Sequence, residues 1–310
     1  MKITFAIVLF ISSILSYGQN KTTYTFNSPY LLILGTLQDG GSPHIGCQKE
    51  CCKKIDSNKK VVSLGIIDPV NEMKFIIEAT PDINSQLKEI NRRLHSKKEF
   101  TPDGIFLTHA HIGHYTGLMQ FGREAMNTKS VKVFAMPKMK LYLEQNGPWS
   151  QLVSLQNIEL EQVENNTWKN ITSSIKIKTL LVPHRDEFSE TVGYMIEGPQ
   201  KKVLFIPDID KWGKWKMDIV SLISQVDYAL LDGTFYSNSE VAYRNVEEIP
   251  HPLVTETLKL FEKLPIQDKS KIFFIHLNHT NPLLNKSSEA FKTVVKKGFH
   301  VAEINMNFKL

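Results

Sequence analysis

Three histidines within six residues are the feature that most constrains this chain. His109, His111 and His114 follow an apolar run at residues 105–107 that is typical of a buried strand, and residues 115–121 after them indicate the start of a helix. Side chains at a strand-to-helix junction can converge on one point, and neutral imidazole is a good ligand for Zn²⁺. Because the chain has only 10 histidines in 310 residues, a chance cluster in a surface loop is a poor explanation. The stretch therefore predicts a metal site.

The first 18 residues have the pattern of a secretory signal peptide. Lys2 gives a positive start, residues 3–15 are almost wholly apolar, and the small residues Ser16 and Gly18 precede a cleavage point before Gln19. The apolar run is too short to span a bilayer comfortably, so an uncleaved anchor is the alternative. We therefore expect an exported protein, periplasmic or secreted, with one mature domain at residues 19–310.

Length and composition fit a single enzyme-sized domain. The mature chain is long enough to bury a full hydrophobic core, and 42% hydrophobic with 22% charged residues is ordinary for a globular protein. The net charge of +5 is small and spread along the chain, which gives no case for nucleic acid. As partners we expect a small-molecule substrate, no nucleic acid and no membrane span after signal cleavage, with a homodimer as the assembly to consider.

Apolar runs and helical spacing alternate along the mature chain. These segments predict strands at residues 30–36, 61–67, 73–78, 104–108, 131–135, 175–182, 190–197, 202–206, 228–231, 271–275 and 300–304. They predict helices at residues 82–95, 138–145, 217–224, 251–263 and 287–296. About a dozen strands with helices between them favour an α/β chain of the α+β type, folded as a four-layer αββα sandwich. A doubly wound single sheet is the competing architecture, and it is disfavoured because no glycine-rich phosphate loop follows the first strand.

Three further polar residues each follow an apolar run that predicts a strand. They are His184, Asp208 and His276. Together with the histidine cluster, this order resembles the metallo-β-lactamase superfamily, whose pattern is HxHxDH followed by His, Asp and His at strand ends of an αββα sandwich. The strings at residues 35–41, 46–52, 207–212, 232–235 and 276–282 resemble the branch that contains pyrroloquinoline quinone biosynthesis protein B. The cyclic phosphodiesterase of phosphonate catabolism belongs to a neighbouring branch.

The resemblance implies two metal ions in one active site. The ligands of the first would be His109, His111 and His184, and those of the second would be His114 and His276, with Asp208 bridging the two. His114 and Asp208 are for this reason also the candidate catalytic residues. We expect Zn²⁺, with iron and manganese as alternatives. Two ions would lower the pKa of a shared water, so that hydroxide could attack an ester, lactone, amide or phosphodiester.

The chain departs from the family pattern at Gly113, which replaces the aspartate of the second metal site. Three consequences are open: the second metal binds weakly, Asp232 or Asp210 supplies the carboxylate, or the site works with one metal. A tight turn that needs the backbone freedom of glycine is a separate explanation of the residue.

All three cysteines lie within six residues, at Cys47, Cys51 and Cys52. The odd number and the close spacing argue against a disulfide framework and favour a bound metal. The resemblance implies a structural zinc whose fourth ligand is His279, in preference to the nearby His44. The spacing C-x3-C-C differs from the C-x-C-x2-C of the related phosphodiesterase, and free or disulfide-paired thiols are the alternative.

The sequence thus predicts an exported metal-dependent hydrolase that cleaves a phosphodiester or a cyclic ester. The alternatives are an iron enzyme that oxidises a peptide or quinone precursor, and a metal-binding protein without catalysis. β-Lactam hydrolysis is disfavoured because zinc enzymes of that kind usually keep an aspartate at the position of Gly113. The candidates for lining the substrate pocket are Tyr115, Trp212, Phe235 and Tyr236, each with burial in the core as the other explanation. We expect Asp186 and Glu187 to be solvated, with orientation of His184 as the alternative role.

Overall fold

The computed structural model describes residues 27–53, 56, 59–94, 100–241 and 249–310. The predicted signal peptide at residues 1–18 lies outside the described residues, as do residues 19–26 at the start of the predicted mature domain. Within the part of the chain that the structure describes, no helix is both long and apolar enough to cross a bilayer.

Seven of the described strands form the first sheet. They are β1 (Tyr30–Gly35), β2 (Ser63–Asp68), β3 (Met73–Ile77), β4 (Gly104–Phe106), β5 (Val131–Ala135), β6 (Ile158–Gln162) and β14 (Asn307–Lys309). Their order across the sheet is β14-β1-β2-β3-β4-β5-β6. The pairs from β14 to β3 are antiparallel, and those from β3 to β6 are parallel.

The second sheet repeats this plan with the other seven described strands. They are β7 (Trp168–Asn170), β8 (Lys176–Leu181), β9 (Val192–Glu197), β10 (Lys202–Ile206), β11 (Tyr228–Asp232), β12 (Ile272–Ile275) and β13 (His300–Val301). Their order is β13-β12-β11-β10-β9-β8-β7. The pairs from β7 to β10 are antiparallel, and those from β10 to β13 are parallel.

Helices cover the outer face of both sheets. The described α-helices are α1 (Ile83–Arg93), α2 (Ile112–Tyr115), α3 (Pro137–Gln145), α4 (Trp149–Ser154), α5 (Ile219–Ser224), α6 (Val254–Leu260), α7 (Ile266–Lys269) and α8 (Glu289–Lys296). The first, third and fourth pack on the first sheet, while the fifth, sixth and eighth pack on the second. This arrangement confirms the predicted four-layer αββα sandwich.

Strand β1 shows why the central strands are apolar at every position. Leu31 and Ile33 face the second sheet and join a core that includes Tyr194 and Phe205, whereas Leu32 and Leu34 face α1. A strand that is covered on both faces buries consecutive side chains, so its sequence is a continuous apolar run rather than an alternation.

The strand directions determine where the functional residues meet. In the first sheet β1, β3 and β4 run the same way, because each is separated from the next by a parallel pairing or by two antiparallel pairings. By the same argument β8, β10, β11 and β12 share one direction in the second sheet. Residues that follow these strands are therefore delivered to one edge of each sheet.

Candidate active site and metal centres

The first candidate metal site is formed by His109, His111, His184 and Asp208, with one ligand atom from each lying within 4.8 Å of the others. The Nε2 atom of His109 lies 2.8 Å from Nδ1 of His111 and 3.4 Å from Oδ2 of Asp208. The other oxygen of Asp208, Oδ1, lies 3.2 Å from Nε2 of His184. The structure thus brings together the residues that the sequence assigned to the first metal.

The second candidate site shares Asp208 with the first. It is formed by Asp39, His114, Asp208 and His276. The Nε2 atoms of His114 and His276 lie 3.9 Å and 3.8 Å from Oδ2 of Asp208. His114, Asp208 and His276 are the predicted ligands of this site, whereas Asp39, in the loop after β1, is not among the predicted residues.

Each of these ligands follows a strand whose direction brings it to the same edge. His109, His111 and His114 follow β4 in the first sheet, while His184, Asp208 and His276 follow β8, β10 and β12 in the second. His109, His114, Asp208 and His276 have at most 2% of their surface exposed. The site therefore lies where the two sheets meet, with ligands from both.

Three buried groups fix the imidazole rings through the nitrogen that faces away from the site. The Thr108 hydroxyl hydrogen-bonds with Nδ1 of His109 at 2.8 Å, and the Thr234 hydroxyl with Nδ1 of His276 at 2.8 Å. Oε1 of Glu78, a fully buried residue that follows β3, lies 3.1 Å from Nδ1 of His114. Such partners leave Nε2 free for a metal and hold the ring in place.

His251 and Asp232 form a third group beside Asp208 and His276. Nδ1 of His251 lies 2.9 Å from Oδ2 of Asp232 and 3.2 Å from Oδ1 of Asp208. The sequence analysis missed His251, because a single histidine before a helix carries no spacing signal. Asp232 also accepts hydrogen bonds from the hydroxyl and the backbone N–H of Thr234, so its carboxylate is largely committed to positioning neighbours.

Burial and charge divide the histidines into two groups. Burial holds the pKa of His109 well below its ordinary value and lowers that of His184 to about 4. Burial also opposes the charged form of His114, yet Asp39 and Glu78 raise its pKa well above the ordinary value. Asp208 is ionised: burial favours its neutral form, but the surrounding imidazoles, His184 foremost, hold its pKa well below the usual range.

The residues at this site fit divalent metal ions. Oδ1 of Asp208 and Nδ1 of His184 are buried atoms that make no hydrogen bond, which is costly for polar atoms unless another partner is supplied. A set of imidazole nitrogens around a shared carboxylate suits Zn²⁺, and it also suits iron or manganese. The arrangement can therefore hold two ions that share Asp208.

The structure excludes backbone freedom as the reason for glycine at position 113. Gly113 lies inside α2 and is not among the residues with positive φ, so the tight-turn explanation is wrong. Asp210, one of the two suggested replacement carboxylates, points elsewhere: its oxygens accept from the backbone N–H of Lys211 and from Nζ of Lys214, both at 2.7 Å.

The residues suggested for orienting His184 do not contact it. Asp186 accepts a hydrogen bond from the Thr191 hydroxyl, and Oε2 of Glu187 lies 3.3 Å from Nε2 of His111. Glu187 therefore lies beside His111 rather than beside His184. Among the suggested pocket residues, Trp212 is buried in the core beneath the second sheet's helices, where its Nε1–H donates to the Thr257 hydroxyl.

The cysteines form a separate cluster with His279. One ligand atom from each of Cys47, Cys51, Cys52 and His279 lies within 4.8 Å of the others. The sulfur atoms of Cys51 and Cys52 are 3.8 Å apart and unbonded, and Nδ1 of His279 lies 3.5 Å and 3.3 Å from them. His44 stacks on the His279 ring with centroids 4.6 Å apart. Three thiols and one imidazole suit a tetrahedral structural zinc.

Two cavities open onto the active-site edge. One of about 840 Å³ is lined by Thr234, Phe235 and His251 together with residues of the cysteine cluster. The other, of about 470 Å³, is lined by Asp39, His111 and Phe188 among others. Arg185 lines both cavities, and its Nη2 lies 3.3 Å from Nε2 of His111. A small molecule that enters either cavity therefore meets a cation beside the candidate metal ligands.

A comparison against protein families agrees with the fold. The beta-lactamase superfamily domain matches residues 73–277, and the chain belongs to that superfamily. Its relatives include coenzyme PQQ synthesis protein B of Methylococcus capsulatus, which is 25% identical over 301 residues that cover 87% of this chain and 96% of that protein. The protein of the same name from Methylorubrum extorquens is 23% identical over 311 residues, covering 91% of this chain and all of that protein.

Solved structures show the same fold. Zn²⁺-bound PqqB from Methylobacterium extorquens superposes with a TM-score of 0.74 at 21% identity, covering 91% of this chain and 100% of that one. A diphosphatase from the PhnP family superposes with a TM-score of 0.62 at 19% identity, covering 91% and 97%. The clusters of histidine, aspartate and cysteine side chains described above are in keeping with zinc by their own chemistry.

Proposed function

We propose that this protein is a metal-dependent hydrolase that cleaves a phosphodiester or a cyclic ester. The observation that carries the proposal is the position of Asp208 between the two groups of ligands. Its Oδ1 lies near His184, and its Oδ2 lies near His109, His114 and His276, so one carboxylate is shared by both sites and can bridge two ions. Metal ions bound there would supply a hydroxide near neutral pH and would polarise the substrate oxygen. PhnP-family diphosphatase activity in a structural neighbour is in keeping with a phosphate ester as substrate.

The chain's own residues would bind and orient such a substrate. Arg185 can pair with an anionic group, and it lines both cavities beside His111. His251 is held by Asp232 through Nδ1, lines the larger cavity, and has a pKa of about 9: burial alone would lower it, but the carboxylates of Asp232 and Asp208 raise it. A charged imidazole in this position can donate a proton to a departing oxygen.

A second candidate is an oxidative role related to coenzyme PQQ synthesis. The full-length similarity to PQQ synthesis protein B from two organisms favours it, because the match extends over 87% and 91% of this chain. In this case the same histidines would hold iron, and the substrate would be a peptide or quinone precursor. Both candidates need the first metal site, and they differ in the metal and in the need for dioxygen.

The test is turnover by the purified protein loaded with Zn²⁺, Mn²⁺ or Fe²⁺. We expect the zinc or manganese form to hydrolyse bis(p-nitrophenyl) phosphate or a lactone panel, and His111→Ala to abolish this activity. Asp210→Asn is the matched control, since Asp210 faces Lys214 rather than the site. Activity retained in His111→Ala would refute the assignment. Turnover only with iron and dioxygen would replace the hydrolase by the oxidative candidate.

A further inference from the structure

Gly113 occupies the position at which the HxHxDH pattern has an aspartate, and the space around it is already filled. A Cβ atom built on Gly113 would lie 2.5 Å from the Cα of Asp39, 2.8 Å from its Oδ1 and 2.9 Å from its Cβ. Contacts below 3.0 Å are not seen for real Cβ atoms, so no side chain fits at position 113 while Asp39 stays where it is. The glycine is required by the approach of Asp39, because its own backbone is helical.

The carboxylate of Asp39 faces the ligands of the second site. Its Oδ1 lies 2.8 Å from Nε2 of His114 and 3.4 Å from Nε2 of His276. These are the nitrogens left free by Glu78 and Thr234 on the far side of each ring. The side chain of Asp39 is only 13% exposed, so its position is enclosed by the site rather than open to solvent.

The backbone around Asp39 is tied to the segment that carries His276. The N–H of Leu277 donates to the carbonyl of Thr36 at 2.8 Å, and the N–H of Gln38 donates back to the carbonyl of Leu277 at 3.0 Å. The chain then turns at Gly41, which has φ of 62°, a conformation that favours glycine. The loop after β1 is thereby held against the site by hydrogen bonds that do not depend on a metal.

We propose that Asp39 is the carboxylate ligand of the second metal, supplied from the loop after β1 in place of a side chain at position 113. This inference rests on the proposed two-metal site. Of the three possible consequences of having glycine at position 113, it selects the one in which another residue supplies the missing carboxylate. That residue is not one that the sequence suggested. Asp210 faces Lys214. Asp232 is engaged by Thr234 and His251, and it clusters with His276 but not with His114, whereas Asp39 clusters with both imidazoles of the second site.

The experiment measures metal content and zinc affinity, with activity as no part of the readout. Purified wild type, Asp39→Asn and the control Asp210→Asn are dialysed against buffered Zn²⁺ and assayed by elemental analysis. We expect Asp39→Asn to hold one ion fewer per chain, or to bind that ion at least about 10-fold more weakly. Mutation of a group that merely hydrogen-bonds to a metal ligand already lowers metal affinity by this factor. Asp210→Asn should match wild type.

Gly113→Ala is an independent variant because it removes no ligand atom. Its methyl group would displace Asp39, so we expect the same loss of one ion while the ions at the first site and the cysteine cluster remain. Circular dichroism of each variant checks that it is folded. Full zinc content and unchanged affinity in both Asp39→Asn and Gly113→Ala would overturn the inference.

A further pair of variants separates this inference from the proposed function. Cys47→Ser removes a ligand of the cysteine cluster, and His111→Ala removes one from the first site. If wild type binds only an ion that Cys47→Ser abolishes, the proposed active-site metals are absent and the function fails. If an ion is lost in His111→Ala and none in Asp39→Asn, the function stands and the role of Asp39 is refuted.

Discussion

At the scale of single residues, the site is built as much by the groups behind the histidines as by the histidines themselves. Glu78 is a fully buried carboxylate, and the other buried acids among the described residues lie at the candidate metal sites or at the end of a strand. It accepts from the backbone N–H of Thr108 at 3.3 Å and approaches His114 from behind. One side chain therefore fixes both the strand-to-helix junction and the orientation of a ligand.

Replacement of Glu78 by glutamine should weaken metal binding without unfolding the protein. Glutamine keeps the size of the side chain but loses the charge that holds His114, so we expect zinc affinity to fall by about 10- to 100-fold. Competition with a chromophoric chelator measures this change. Glu159→Gln, at an exposed position of β6, is the matched control. Equal affinities for Glu78→Gln and wild type would show that His114 needs no such partner.

Six of the clustered candidate ligands could be predicted from the sequence, because each lies in a recognisable string after an apolar run. Asp39, Glu78 and His251 escaped prediction because their roles depend on the packing of separate elements. Asp39 reaches the second site because the loop after β1 pairs through Leu37 with Leu277, which follows β12. Glu78 is distinguished from other glutamates by its burial. A pattern along the chain contains neither kind of information.

At the scale of elements, the direction of the strands explains both ends of the sandwich. Strands that share one direction deliver the metal ligands to one edge, and β2, which runs oppositely, ends at the other edge with Asp68. Oδ1 of Asp68 accepts from the backbone N–H of Val70 and of Asn71, both at 3.1 Å, and Oδ2 accepts from the Ser174 hydroxyl at 3.3 Å. Since Ser174 precedes β8, this carboxylate joins the two sheets at the end remote from the site.

Asp68→Asn should destabilise the fold and leave the metal sites intact. Burial raises the pKa of Asp68, but hydrogen bonds from Thr172 and Asn71 outweigh it, so the folded-state pKa is lowered and the carboxylate stabilises the protein at neutral pH. We expect a loss of about 2 kcal/mol in the free energy of unfolding in urea at pH 7, since hydrogen bonds to charged groups contribute on this order. The difference should vanish as the pH falls below about 4. Asp210→Asn again serves as the control.

The predicted elements were those with long apolar runs, and the missed ones were short or polar. The helix predicted at residues 82–95 corresponds to α1, Ile83–Arg93, and residues 95–99 lie outside the described residues. Three strands were missed: β6, β7 and β14. The first alternates with glutamates at a sheet edge, and the other two have three residues each. Such strands are stabilised by pairing with a neighbour, which a local pattern does not report.

At the scale of the whole molecule, the candidate active site lies across the junction of two similar sheets. The histidine cluster comes from one sheet, and His184, Asp208 and His276 come from the other. Packing the sheets together therefore buries several imidazoles and carboxylates at once. Several of these residues have 2% or less of their surface exposed. The pKa values of these buried groups therefore differ between the folded and the unfolded chain. The free energy of unfolding should depend on pH for this reason.

The metal-free protein should be most stable near pH 6.5, the ordinary pKa of histidine. Burial lowers the pKa of His184 to about 4, so below pH 6.5 the unfolded chain takes up a proton that the folded chain refuses, and stability falls. The contribution of His251 to stability changes with pH in the opposite direction. Asp232 and Asp208 outweigh burial and raise its pKa to about 9, so the stabilisation that its charged form provides is lost as the pH rises from 6.5 to 9.

Thermal unfolding in a chelator between pH 5 and pH 9 measures this profile. The acid and alkaline arms should respond separately to His184→Gln and His251→Gln. Added Zn²⁺ should stabilise most on the alkaline side, because protons must leave the imidazoles before they bind metal. A profile that rises continuously toward pH 5 would contradict the assignment of the pKa shifts.

The loop after β1 has a consequence for how the two kinds of metal centre behave together. Within residues 36–52 it carries Asp39 to the active site and all three cysteines to the cluster with His279. If Asp39 and the cysteine cluster each bind an ion, the first ion would remove freedom from this short segment, and the second would have less conformational entropy to overcome. The two binding equilibria would then be thermodynamically linked, and the linkage would be reciprocal. Oxidation of the thiols would then lower the affinity of the candidate active site for its second ion.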